Sequence, residues 1–199
     1  MSASRLLFRH GDLRFPFAWE GRDQPSARWH AVGDGPAQYL SDTPDGAWAE
    51  FIRHEAIIDP ADLAGVERRL WAVEVPLADL ADARDLTASG ISDGDLRTYD
   101  QCRQLANDAR VAGYEVVKAK SAALPTGGAR GQRTDGGLVE GPKRDGENWV
   151  LFGRRPHLVG WLACDPGRPS DRQLRMTVPL VPIDVPVRRG ARTKPEISA

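Results

Sequence analysis

Cysteine is nearly missing from this chain of 199 residues: there are two, Cys102 and Cys164, and no CxxC pair. A disulfide framework and a cysteine-based zinc site are therefore unsupported. Long hydrophobic runs are missing too. No stretch of eighteen apolar residues occurs, and Met1 to Phe17 is too polar and arginine-rich for a secretory signal. The expected setting is the cytoplasm, with no membrane attachment. Nor is there an excess of charge of either sign: 27 Lys and Arg stand against 28 Asp and Glu, for a net charge of −1. No global field draws such a chain to nucleic acid, so direct nucleic-acid binding is not expected. A local basic pocket for a phosphorylated small molecule remains compatible with that balance.

Several catalytic signatures are absent as well. No GxGxxG opens a helix after a strand and no GxxxxGK[ST] is present, which removes Rossmann and P-loop readings. His54-Glu55 begins an HExxH-like string, but the position four after His54 is Ile58. The four histidines (His10, His30, His54, His157) lack ligand spacing, and no GxSxG surrounds any serine. These absences count against metal-assisted hydrolysis and Ser–His–Asp acyl transfer, and no metal is expected.

What is there is globular: 41% hydrophobic and 28% charged residues. One core of this length buries roughly 70% of the surface its unfolded chain exposes. Arg5–Arg9 reads as an opening strand, followed by a loop from His10 to Pro25. Ala27–Val32 and Ala37–Ser41 read as two strands joined by Gly33-Asp34-Gly35-Pro36. Thr43 then caps a helix with Pro44 at its first position and Asp45 at the positive end of the dipole. That helix is expected to run to about Ile58, before Asp59-Pro60, with Ala47, Trp48, Phe51, Ile52 and Ile58 as its apolar stripe and Glu50 on the flank. Further strands are expected at Leu70–Val75, Tyr114–Lys118 and Asn148–Phe152. A helix is expected over Asp95 to Ala112, closed by Gly113. Thr126 to Glu147 has seven glycines in 22 residues and reads as a mobile loop beside Ser121. An edge strand is expected at Met176–Ile183, and a poorly ordered tail over 184–199.

Arg28 in the second strand segment, Tyr39 on the next, Glu50 on the following helix and Ser121 ending a later strand remain as a constellation. Taken singly, each has an ordinary structural explanation; Glu50, for instance, could pair with Arg53 or His54 on a helix surface. Their order is more specific. Phe8-Arg9, Ser26-Ala27-Arg28-Trp29-His30, Tyr39-Leu40-Ser41-Asp42-Thr43-Pro44 with Ala49-Glu50, Lys120-Ser121-Ala122, and Asn148-Trp149-Val150-Leu151-Phe152 follow one another from Leu6 to Phe152. In this series the chain resembles the RES domain family, named for its arginine, glutamate and serine. It departs in Ala27, where the family usually has glycine.

The resemblance implies an α+β fold: a single RES domain over 5–183 with a mixed, split β core like that of ADP-ribosyltransferases, and flanking helices. It implies a toxin of a toxin–antitoxin pair that degrades NAD by hydrolysis or phosphorolysis of the nicotinamide–ribose bond. An Xre-like antitoxin is the implied partner, and homo- or hetero-oligomers are both open. NAD enters as substrate. Glu50 would stabilise the ribosyl cation. Arg28 and Arg9 would hold the pyrophosphate, Tyr39 would stack on nicotinamide, and Ser121, supported by Asn148, would meet the ribose or carboxamide. The alternatives are mono-ADP-ribosylation of a protein target and a non-catalytic regulatory or binding domain.

Overall fold

The computed structural model describes residues 3–21, 23–91 and 94–180. Nine strands and four α-helices are laid out along it. β1 (Ser4–Gly11), β2 (Ala37–Ser41), β3 (Arg68–Pro76), β4 (Arg84–Asp85), β5 (Val116–Lys120), β8 (Glu147–Phe152) and β9 (Val159–Gly167) form one sheet in the order β4-β5-β8-β2-β1-β3-β9. Only β4 and β5 run parallel; every other neighbouring pair is antiparallel. β6 (Gln132–Thr134) and β7 (Leu138–Glu140) make a separate hairpin. The helices are α1 (Pro44–His54), α2 (Leu77–Leu80), α3 (Tyr99–Val111) and α4 (Asp171–Met176). This is the expected α+β class with a mixed sheet.

The sheet is close to two half-sheets. β1 pairs with β3 along its whole length, and β2 pairs with β8 along its whole length. β1 and β2 meet through the single register pair Phe8–Ser41. Beyond that pair the ladder is not continued, so Arg9 and His10 on one side and Leu40 and Tyr39 on the other border a gap.

Both long helices cover the same sheet face, one on each half. Alternation along the strands sends Phe8, Tyr39 and Val150 to one side. On it, α1 packs Ala47, Trp48, Phe51 and Ile52 with Leu70 and Phe8, while α3 packs Cys102, Ala106 and Ala109 with Val117, Ala119 and Val150. Leu7, Leu40, Val73, Trp149 and Leu151 form the core of the opposite face. Burying each of these large apolar side chains contributes about 1.5–3 kcal/mol.

Local sequence signals explain α1. Thr43 Oγ1 accepts from Gly46 N–H at 3.0 Å and Pro44 occupies the first turn. The helix stops at His54, not near Ile58. Ala56 N–H bonds Arg53 O and Ile57 N–H bonds Ile52 O, with Ala56 left-handed at φ 52°. This double closure normally uses glycine, and Ile58 is left 54% exposed. Asp59-Pro60 instead open a short 3-10 turn, Pro60–Gly65. The helix expected from Asp95 divides into a 3-10 turn, Leu96–Thr98, and α3; it closes at Gly113, φ 89°.

Three further expectations are corrected. Ala27–Val32 is no strand: Ala27 and His30 pair with each other across a tight turn. Side chains take the backbone donors that a ladder would use, Tyr39 Oη accepting from Trp29 N–H and Ser26 Oγ from Val32 N–H. The 126–147 segment holds the β6–β7 hairpin rather than a formless loop, with Ala129 buried and Gly127 N–H bonded to Asp145. Met176 ends α4 instead of starting an edge strand; residues 177–180 are irregular, and 181–183, like the expected tail over 184–199, lie outside the described residues. The edges of the sheet are instead β4 and β9. No helix among the described residues is long and apolar enough to cross a membrane.

Candidate active site

A cleft of about 320 Å³ opens at the gap between the half-sheets. β1 contributes Phe8, Arg9 and His10 to it, β2 contributes Tyr39 to Ser41, and α1 contributes Glu50, Arg53 and His54. The turn that carries Arg28, the loop residues Trp19 and Glu20, and Tyr99 at the start of α3 complete much of its wall. The volume is at the lower end of small-molecule sites, roughly 300–1,000 Å³.

Glu50 is fixed from one side only. Its Oε1 accepts from Ser121 Oγ at 2.9 Å and from Asn148 Nδ2 at 2.5 Å. Asn148 Oδ1 in turn accepts from Ser41 Oγ at 3.1 Å. Ser41, Ser121 and Asn148 are all buried. Glu50 Oε2 has no protein partner among the described residues, and Glu50 lines the cleft. The helix-surface pairing of Glu50 with Arg53 or His54 is therefore not what holds it. Ser121 lies behind Glu50 rather than in the cleft wall, which is formed there by Ala122.

Arg28 is buried, and its guanidinium donates to Ile91 O at 2.6 Å and to Lys120 O at 3.5 Å. Its Nε is buried with no protein partner, and no carboxylate pairs with it among the described residues. It keeps its positive charge available to an anion. Arg9 is differently disposed. It pairs with the Glu20 carboxylate and donates to Gln38 Oε1 at 2.7 Å, so it bridges the gap between β1 and β2. Burial lowers its pKa to about 10, and Glu20 neutralises it.

Tyr39 lines the cleft, and its hydroxyl is engaged by Trp29 N–H at 3.0 Å and His30 Nδ1 at 2.9 Å. Burial raises its pKa, so it stays a phenol. His10 packs edge-on to Phe51 at 5.1 Å, and its Nδ1 is buried without a partner. Burial first, then the charges of Arg9, Arg68 and His54, push its pKa down to about 3. Its imidazole is neutral at physiological pH.

The structure thus brings Glu50, Ser121 and Asn148 into one network, with Arg28 and Tyr39 on the wall of the same cleft and Arg9 in its frame. Sequence reasoning missed Glu20, Gln38 and Arg53. Arg53 is buried and donates to the carbonyls of Gly94, Val178 and Pro179, which brings Leu180 to the cleft. A backbone carbonyl has no side-chain signature, so no sequence signal could have revealed those contacts. The hairpin region 126–147 lines no part of the cleft. No group of three or more potential metal-ligating side chains occurs among the described residues.

Fold and site together define a class: an α+β protein whose half-split sheet holds a hydrogen-bonded carboxylate and a buried arginine over a nucleotide-sized cleft. The chain belongs to the RES domain family, whose model matches residues 3–172. It is 38% identical over 101 residues to a protein of Mycobacterium tuberculosis described as a probable NAD(+) phosphorylase, a match covering 49% of this chain and 48% of that protein. The chain thus spans about half the length of that curated relative. Its fold is similar to that of a chain in the crystal structure of the M. tuberculosis MbcT–MbcA toxin–antitoxin complex, with a TM-score of 0.52, 15% identity, and 88% and 89% of the two chains covered.

Proposed function

We propose that this chain cleaves the nicotinamide–ribose bond of NAD, and that it is the toxin of a toxin–antitoxin pair. The observation that carries the reading is Glu50, held by Ser121 and Asn148 through one oxygen while the other is unpartnered at the cleft. When the glycosidic bond breaks, its electron pair leaves with nicotinamide, which departs neutral, and the ribose carbon gains oxocarbenium character. A carboxylate already fixed in place stabilises that charge without reorganising. Ser121 and Asn148 are positioning residues in this scheme.

Arg28 supplies the anion subsite. A guanidinium with no competing carboxylate suits the pyrophosphate, and its planar fork suits it better than a lysine. The Tyr39 ring offers a flat wall to nicotinamide. The M. tuberculosis relative, named as a probable NAD(+) phosphorylase, supports phosphate as the acceptor, in which case the new bond joins a phosphate oxygen to the ribose carbon. Water at the same position gives ADP-ribose. Neither scheme calls for a metal. The fold's likeness to a chain of a toxin–antitoxin complex supports an antitoxin partner, for which an Xre-like protein that covers the cleft is proposed. The cytoplasm, where NAD is abundant, is the proposed site of action.

Incubating the purified protein with NAD, with and without inorganic phosphate, tests the reading. Nicotinamide release followed by chromatography, with the phosphorus-containing products resolved by NMR, separates phosphorolysis from hydrolysis. Label retained on protein would instead mark ADP-ribosyl transfer. No nicotinamide release under either condition would sink the proposal.

A further inference from the structure

The segment Leu13–Trp19 (LRFPFAW) puts three aromatic rings into a loop, and only one of them is absorbed by the core. Phe17 packs against Trp71 at 5.5 Å between ring centroids. Phe15 and Trp19 stack on each other instead, at 4.3 Å and 19° between planes. Trp19 is 48% exposed and also lines the cleft. A solvent-facing tryptophan alone needs no explanation. This one is braced from behind by Phe15, and the next residue, Glu20, is buried and anchored to Arg9. The loop is therefore pinned where a tryptophan face meets the rim of the cleft.

Size then decides what reaches that rim. A cavity of about 320 Å³ holds one nucleotide half of a dinucleotide, not both. Glu50 and its partners, at the buried side, are the end suited to the reacting ribose. The half that projects carries the second base. A pre-stacked, half-exposed indole is a platform for a planar purine, because every base has a π face and stacking needs no particular hydrogen-bond pattern.

We infer that Trp19, braced by Phe15 and anchored through the Glu20–Arg9 ion pair, forms an adenine-stacking subsite at the rim of the cleft. The inference rests on the NAD reading for the identity of the ligand. It also gives Arg9 a different part from a phosphate ligand: Arg9 holds the loop that carries the platform.

Calorimetric titration of the full chain with ADP-ribose and with nicotinamide mononucleotide tests this, because only the first carries adenine. Trp19→Ala should weaken ADP-ribose by about tenfold and leave nicotinamide mononucleotide nearly unchanged. Trp19→Phe should keep most of the ADP-ribose affinity, which guards against a collapsed loop. Equal losses for both ligands, no loss for either, or no ADP-ribose binding by the wild type would each overturn the subsite. The two readings fail separately. Trp19-dependent ADP-ribose binding without any nicotinamide release from NAD would leave the subsite standing and remove the cleavage reading. NAD cleavage with ADP-ribose binding indifferent to Trp19→Ala would do the reverse.

Discussion

Replacing Glu50 by glutamine separates its charge from its shape. The amide is isosteric, and its carbonyl oxygen can take the place of Oε1, still accepting from Ser121 and Asn148. The amide nitrogen then falls at the Oε2 position, which has no protein partner to clash with. Two bonds to a charged acceptor become bonds to a neutral one, each dropping from about 1.5–3 to about 0.5–1.5 kcal/mol. Removing a half-buried charge relieves desolvation and offsets part of that loss. The net change should stay within about 2 kcal/mol, equivalent to roughly 4–8 °C in Tm for a chain of this size. Turnover should respond far more strongly. Loss of one pre-aimed electrostatic group costs about 10²–10³-fold in kcat, or roughly 2.7–4 kcal/mol. The assay is nicotinamide release at saturating NAD, with a melting curve on the same sample. Ser121→Ala, which removes one bond and keeps the charge, should cost about tenfold or less. A folded Glu50→Gln protein with wild-type turnover would refute the role assigned to the carboxylate.

Other expectations follow from the same geometry. Arg28→Lys should raise KM for NAD by about tenfold, since a compact ammonium cannot span the separate positions from which the guanidinium fork reaches Ile91 O, Lys120 O and a pyrophosphate; an unchanged KM would take Arg28 out of the substrate site. His10, whose pKa falls from 6.5 to about 3 in the fold, binds fewer protons folded than unfolded between those values. Stability should therefore fall as pH drops below about 6.5, by up to about 2 kcal/mol between pH 7 and 5, and His10→Gln should flatten that slope in denaturant melts. The residues of the β6–β7 hairpin are mostly exposed and line no part of the cleft, so replacing 132–140 by a short turn should leave nicotinamide release and Tm near wild type. A large loss of either would mean that the hairpin supports the site.

The sequence by itself determined those parts of the protein whose energetics are local. Ala37–Ser41, the Thr43 cap, Pro44 and the Gly113 closure each depend on residues a few positions apart. The family pattern likewise pointed to Glu50, Ser121 and Asn148. Tertiary structure decided what distant partners control. Ala27–Val32 has the composition of a strand, yet the Tyr39 hydroxyl and the Ser26 side chain claim its backbone donors, and a turn results. α1 ends at His54 because Ile57 finds a place against the α1 cluster and Ala56 accepts a left-handed conformation, a choice that no glycine advertises. β9 ends in Pro166 and Gly167, and it is its ladder with β3 that makes it a strand. Glu50 reaches Ser121 and Asn148 across 71 and 98 residues, and Glu20 is buried only because Arg9 is buried beside it. A hydrogen bond or ion pair of that kind is worth its energy only once the fold has excluded water from both ends, and that exclusion is a property of the assembled sheet and helices, not of any segment of the chain.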